Sequence, residues 1–238
     1  MSEVEDESVA LVVTSPPYWN LKNYNHNKQI GLGQTYEEYI EKLEIIIKEC
    51  YRVLEKGRYF AIVIGTRISD NGFKHIPFDL KEIFEKSGFN LKKEFIWVKP
   101  KGTQGLWQRG TTQFLKKNPF PGYININIQH EFIHLYQKNG EFTYEKTLRL
   151  SEDFIKEIAW SVWQLPVSRQ KGHPAPFPGT IPYRLIKAYS YPGELVLDPF
   201  LGSGTTALMA KDLGRRCVGY ELSREYCYLS KENLCRLI

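Results

Sequence analysis

The sequence has no C-x-x-C pair, no internal repeat and no low-complexity tract, and no apolar run in it nears the roughly 20 residues a membrane span needs. Four dispersed cysteines (Cys50, Cys217, Cys227, Cys235) exclude a disulfide scaffold, and three of them fall in apparently regular elements, so they read as core residues of a reducing cytoplasm. No charged and apolar leader precedes residue 10, so the expectation is a soluble, intracellular protein. The excess of one sign of charge over the other is small too. A net +5 over 238 residues permits nucleic-acid binding without demanding it, and the aromatic fraction of 14% is high. That length suits one large α/β domain, or one domain carrying an insertion.

What is present is an unusual turn near the start. Val9-Ala10-Leu11-Val12-Val13 reads as a buried parallel strand, and it runs into Thr14-Ser15-Pro16-Pro17-Tyr18-Trp19. Two successive prolines fix φ and remove two donors, so the turn is a stiff row of acceptors flanked by flat rings. Such a row suits a planar substrate that brings NH groups, an exocyclic nucleobase amine among them. A plain strand stop is the alternative for Pro-Pro taken alone.

Along the chain, Asn20 to Gln34 reads as a long loop over this turn, from which Lys22, Tyr24 and His26 could reach substrate, with a solvated lid as the alternative role for any one of them. Thr35 and Glu38 make a capping box for a helix that Gly57 is expected to end. A strand at Tyr59 to Ile64, a helix at Pro77 to Lys86 closed by Gly88 and a strand at Phe89 to Lys99 complete a parallel-sheet rhythm. That rhythm breaks at Pro100. Lys92, Lys93, Lys99, Lys101, Arg109, Lys116 and Lys117 then face a single acid, Glu94, and are interleaved with Trp97, Trp107, Phe114 and Phe120. This is the most nucleic-acid-like part of the chain, with cations for phosphates and rings for bases. His130-Glu131-Phe132-Ile133-His134 matches a zinc-protease pattern, but its neighbours alternate with period two. On a strand the two histidines stand about 13 Å apart, too far to share one ion, so no metal site is expected.

The far end carries a second turn. A Pro-rich link, His173 to Gly179, leads into a helix from Thr180 to about Ser190. A short strand, Glu194 to Leu197, then ends in Asp198-Pro199-Phe200-Leu201-Gly202-Ser203-Gly204-Thr205-Thr206-Ala207, with a helix following to about Leu213. The spacing is G-x-G-x-x-A, and Glu221 follows the next strand (Cys217 to Tyr220) nineteen positions after Gly202. An acid there accepts hydrogen bonds from ribose hydroxyls. Asp198 would repel a pyrophosphate and favours a ligand with a cationic group, which points to S-adenosylmethionine over a dinucleotide. A cofactor unit at the C-terminal end implies a circularly permuted sheet, with Leu11 to Val13 beside Leu195 to Leu197 and the two turns meeting.

With both turns on the page, the chain resembles the permuted, beta-class amino-methylating DNA methyltransferases. These carry an (Asp/Ser/Asn)-Pro-Pro-(Tyr/Phe) turn early and Asp-Pro-Phe-x-Gly-Ser-Gly-Thr-Thr late. Ile96-Trp97-Val98-Lys99-Pro100, the His130-Glu131 pair and the His173 to Pro178 segment extend the likeness. The resemblance implies an α/β, Rossmann-like S-adenosylmethionine-dependent methyltransferase sheet, mostly parallel with one antiparallel strand at about His130 to Tyr136. It implies a catalytic and cofactor-binding domain at 1–99 and 171–238, and a target-recognition insert at 100–170 whose strand 128–137 belongs to the sheet. The catalytic residues would be Ser15, Pro16, Pro17 and Tyr18. The cofactor would lie on Thr14, Phe177, Pro178, Asp198, Pro199, Phe200, Gly202, Ser203, Gly204, Thr205, Thr206 and Glu221. DNA would meet Lys22, Lys99, Lys101, Trp107, Arg109, Lys116 and Lys117.

The implied reaction moves a methyl group to the exocyclic N4 amine of a cytosine flipped out of double-stranded DNA, as part of a restriction-modification system with a cognate endonuclease as functional partner. Serine at the first position of the turn is typical of cytosine enzymes and aspartate of N6-adenine enzymes, so adenine is the alternative substrate. A dinucleotide oxidoreductase, a zinc hydrolase and a non-catalytic nucleic-acid binder are the rival readings. The family usually has a further strand upstream of Val9, ending in an acid near the cofactor's adenine. Only Met1 to Ser8 stand there, which sets the expectation of a late start that weakens cofactor binding.

Overall fold

The computed structural model describes residues 1–21, 23, 26–69, 72–100, 120–122, 128–168 and 177–235. Its elements in chain order are β1 (Val9–Thr14), α1 (Tyr36–Val53), β2 (Leu54–Ile64), a hairpin of β3 (Arg67–Ser69) and β4 (Gly72–Lys74), α2 (Ile76–Lys86), and β5 (Phe89–Val98). Then come β6 (His130–Lys138), α3 (Glu152–Ile158), β7 (Val162–Gln164), α4 (Thr180–Tyr189), β8 (Leu195–Asp198), α5 (Thr205–Asp212), β9 (Arg216–Gly219) and α6 (Arg224–Cys235).

Seven strands form one sheet in the order β7-β5-β6-β2-β1-β8-β9. β6 runs antiparallel to β2 and β5, while the other neighbours are parallel. The expected juxtaposition is present: Leu11 pairs with Val196 and Val12 with Leu197. Strands joined this way must be covered on both faces, which is why β1 is apolar from Val9 to Val13 and buried at every position. One face packs on Tyr39, Leu43 and Ile47 of α1 with Leu80 and Phe84 of α2. The other packs on Ile181, Leu185 and Ile186 of α4 with Ala210 of α5.

The capping box forms as read: the Thr35 hydroxyl accepts from the Glu38 amide at 3.1 Å, and the Glu38 carboxylate accepts from the Thr35 amide at 2.8 Å. The end of α1 differs from expectation. The helix stops at Val53, because Leu54 must already be extended to pair with Val9. Gly57 instead lies in a bulge of β2 with φ at 72°, where a Cβ would press on Phe142 at 2.8 Å. Two elements of the 139–170 stretch that the sequence left irregular are ordered against the main sheet. β7 extends it beside β5, and α3 is tied through Glu157 to Arg184 of α4 at 2.7 Å. His130 and His134 stand on β6, and His134, buried, meets Glu94 at 2.8 Å.

Phe84 shows where the packing energy is concentrated. Its ring lies flat on Tyr136 at 3.8 Å and edge-on to Phe60 and Phe89 at 4.9 and 5.3 Å, fully buried. Phe84→Ala is expected to lower unfolding stability by about 3–5 kcal/mol, measured by urea denaturation.

Candidate active site

Both marked turns leave the same edge of the sheet, because β1 and β8 are parallel neighbours. Beyond the last paired residues, the Thr14 hydroxyl donates to Asp198 Oδ1 at 2.6 Å, a bond between positions 184 apart in sequence. Asp198 also takes the Phe200 amide at 3.0 Å, which bends the chain into the second turn. Thr14, Asp198 and Thr206 are buried beneath the site.

Above them opens a cleft of about 430 Å³, in the range of small-molecule sites. Ser15, Pro16, Pro17 and Tyr18 form one wall. Pro199, Phe200, Gly202, Ser203 and Thr205 form the facing wall, with Glu221 and Phe177 beside them. Gly204 does not line the cleft but makes the turn possible. Its φ is 85°, and a side chain would run into Ser230 of α6. Pro178 is buried behind Phe177.

Glu221, half-buried in the cleft lining, has structural work as well. One oxygen accepts the Gly202 amide and the other the Ser223 amide, each at 2.8 Å, so the acid draws the glycine turn down onto the end of β9. Each carboxylate oxygen keeps a second lone pair that a ribose hydroxyl can use.

The first turn is braced from three sides. The Tyr39 hydroxyl donates to the Pro17 carbonyl at 3.0 Å. Gly31, at φ 91°, lets the following loop fold close over the Tyr18 carbonyl. The Tyr18 hydroxyl donates to Glu131 Oε2 at 2.6 Å. Trp19, read from sequence as a stacking surface, does not face the cleft. Its ring packs edge-on to Tyr36 at 5.2 Å and its indole NH donates to the Gln34 carbonyl at 2.9 Å.

Of the residues read as DNA contacts, Lys22, Lys101, Trp107, Arg109, Lys116 and Lys117 lie outside the described residues. Lys99 is not a free surface cation. It is 5% exposed, paired with Glu131 and set over Trp97. The sequence reading missed Met1, Gln29, Ile46, Tyr220 and Tyr226 as cleft residues. Only Tyr220, next to Glu221, carried a usable signal. His26, which the sequence allowed to reach substrate or to serve only in a solvated lid, lines the cleft together with Lys28. Among the described residues no cluster of three or more His, Cys, Asp or Glu side chains could hold a metal ion.

Burial pushes the Asp198 carboxyl up to about 6, against the partial relief of the Thr14 and Phe200 donors. A carboxyl whose folded value lies above its unfolded one holds its proton longer in the native state. Its contribution to stability therefore falls as pH rises from about 4 to 6. Asn at this position keeps an oxygen for both donors and carries no charge. Asp198→Asn is expected to raise the melting temperature of the ligand-free protein above pH 6, and to make no difference below about pH 4 in a thermal melt series.

Three comparisons agree with this geometry. A profile of the N6/N4 DNA methylase family matches residues 9–232. The Type II methyltransferase M.MjaI of Methanocaldococcus jannaschii is 34% identical, over 98% of this chain and 88% of its own. M.BglII, a Type II methyltransferase of Bacillus subtilis, is 30% identical over 94% of this chain, which spans 63% of that longer protein. Among solved structures, TTHA0409 of Thermus thermophilus, described as a DNA modification methylase, superimposes with a TM-score of 0.78 at 28% identity. The match covers 99% of this chain and 88% of that one, and its crystals contain S-adenosyl-L-methionine. A shared cleft between two marked turns and a family match spanning both place this chain in the N6/N4 DNA methylase family, whose methyl donor is S-adenosylmethionine.

Proposed function

We propose that this protein is a sequence-specific Type II DNA methyltransferase that acts on the N4 amine of a cytosine flipped out of the duplex. The observation that carries the reading is the single cleft shared by Ser15 to Tyr18 and by the turn from Pro199 to Thr205. Its dimensions and lining fit the cofactor. Phe200, Tyr220 and Tyr226 offer flat surfaces for adenine, Glu221 accepts from ribose, and the buried Asp198 beneath the turn favours a cationic ligand. When bound, S-adenosylmethionine supplies an electrophilic methyl group.

This chain's residues supply position. The lone pair of a cytosine amine is delocalised into the ring, which makes it a poor nucleophile. The Ser15 hydroxyl and the Pro16 carbonyl accept its two NH bonds and turn the lone pair toward the cofactor side of the cleft. Tyr18 is the platform on which the extruded base stacks, because the amine is out of reach inside a duplex. No strong base is required, since the nitrogen becomes cationic as it gains the methyl group and then gives up one of its protons to water. Serine at the head of the turn supports cytosine over adenine.

The same reading assigns residues 100–170 to target recognition, although β6 and β7 within that range belong to the sheet. It makes double-stranded DNA the partner in the cytoplasm, with a cognate endonuclease as the functional counterpart. No helix of the described residues is long and apolar enough to cross a membrane.

Incubation with unmodified genomic DNA and S-adenosylmethionine, followed by nucleoside mass spectrometry, is expected to yield N4-methylcytosine. N6-methyladenine would overturn the choice of base, and no methylated nucleoside would overturn the activity. Ser15→Ala is expected to lower kcat about 100-fold with cofactor affinity kept. Gly204→Asp is expected to abolish cofactor binding in calorimetry, because Ser230 occupies the space its side chain needs.

A further inference from the structure

We propose that Glu131 is a positioning residue for Tyr18, itself locked by Lys99, so that one buried ion pair sets the angle of the ring on which the target base stacks. The inference rests on the reading of Tyr18 given above. The Tyr18 hydroxyl donates to Glu131 Oε2 at 2.6 Å, and Glu131 Oε1 is paired with the Lys99 ammonium. That ammonium lies 4.6 Å from the centre of the Trp97 ring. The Lys99 and Glu131 side chains are 5% and 15% exposed, so the pair is shielded from water and from salt.

The backbone places these groups together. Trp97 is the register partner of Glu131 across β5 and β6, and the Lys99 amide donates to the Gln129 carbonyl at 2.8 Å. Gly65, just past β2, leaves the necessary gap. A Cβ there would stand 3.2 Å from Glu131 Cγ and 3.6 Å from Tyr18 Cε1.

The arrangement anchors the phenol at its far end, while Gly31 and the Leu21 amide sit against the Tyr18 carbonyl at the near end. A ring fastened at both ends cannot swing about its side-chain torsions. Catalytic geometry tolerates errors of only about 10–20°, so a swinging platform would carry the base amine away from the line of attack.

The test is steady-state methylation of duplex DNA by the unaltered protein, Glu131→Ala, Tyr18→Phe and the double variant. Each single change is expected to lower kcat about tenfold, with KM for S-adenosylmethionine within about twofold, the effect of losing one hydrogen bond to a charged group. The double variant is expected to fall no further than the deeper single one, because both changes cut the same tether. A Tyr18→Phe variant with kcat within about twofold of the unaltered protein would overturn the inference, as would independent, multiplying losses in the double variant. If Glu131→Ala does not fold once the buried Lys99 is left without its partner, as judged by lost cofactor binding, Tyr18→Phe decides alone, since it keeps the ring and removes the hydroxyl that makes the tether. Absence of methyl transfer by the unaltered protein would instead overturn the functional reading, and this inference with it.

Discussion

The site depends on two strands lying side by side that are almost the whole chain apart. β1 and β8 pair in parallel through Leu11 with Val196 and Val12 with Leu197, and the Thr14 to Asp198 hydrogen bond closes the seam at 2.6 Å. Parallel neighbours end at the same edge, so the Pro-Pro turn and the glycine turn have no choice but to face one another. Had the strands been antiparallel, the same two motifs would sit at opposite ends of the sheet and make nothing. All later chemistry inherits this one register.

The seam is also costly, and the cost has a direction. A carboxyl fully enclosed at Asp198, with Glu221 nearby adding repulsion, holds its proton up to about pH 6. An approaching cation relieves both effects, whereas a phosphate would worsen them. The glycine turn, whose pattern it shares with dinucleotide folds, is thereby biased electrostatically toward a sulfonium and ammonium ligand. Glu221 contributes twice, by holding the Gly202 and Ser223 amides and by facing the cleft with its remaining lone pairs. Removing it would therefore disturb the turn's shape and its ligand chemistry together.

What could be read from the sequence followed from local rules. Apolar runs marked β1 and β8, the Thr35 and Glu38 pair marked the start of α1, and alternation kept His130 and His134 on a strand. The two turns were legible because proline and glycine restrict or free the backbone whatever surrounds them. What stayed hidden was tertiary. Nothing local says that Lys99 is buried against Glu131, since a lysine in a basic stretch looks like a phosphate contact until β5 and β6 are placed in register. Trp19 misled for the same reason, because its partners Gln34 and Tyr36 lie across a loop whose fold is set by Gly31 and by Asn20 at φ 46°. The end of α1 was misjudged because pairing with Val9 overrode the stop signal of Gly57.

Support for the cleft is likewise distributed over distant parts of the chain. Asn233 of α6 donates to the Ser203 carbonyl at 2.9 Å, and Ser230 fills the space beside Gly204. On the other flank Arg52 gathers the carbonyls of Met1 and Val4 at 2.8 and 3.2 Å, which sets Met1 into the cleft wall. Residues 1–4 and 226–233 thus meet around a turn that the β1 to β8 seam positions. Contacts of such sequence separation form only after much loop entropy has been lost, so the cleft is completed with the sheet and not before it. A ligand that binds only the completed cleft must then stabilise the whole domain through mass action. Cofactor binding and folding are in that sense one equilibrium, joined at the bond between Thr14 and Asp198.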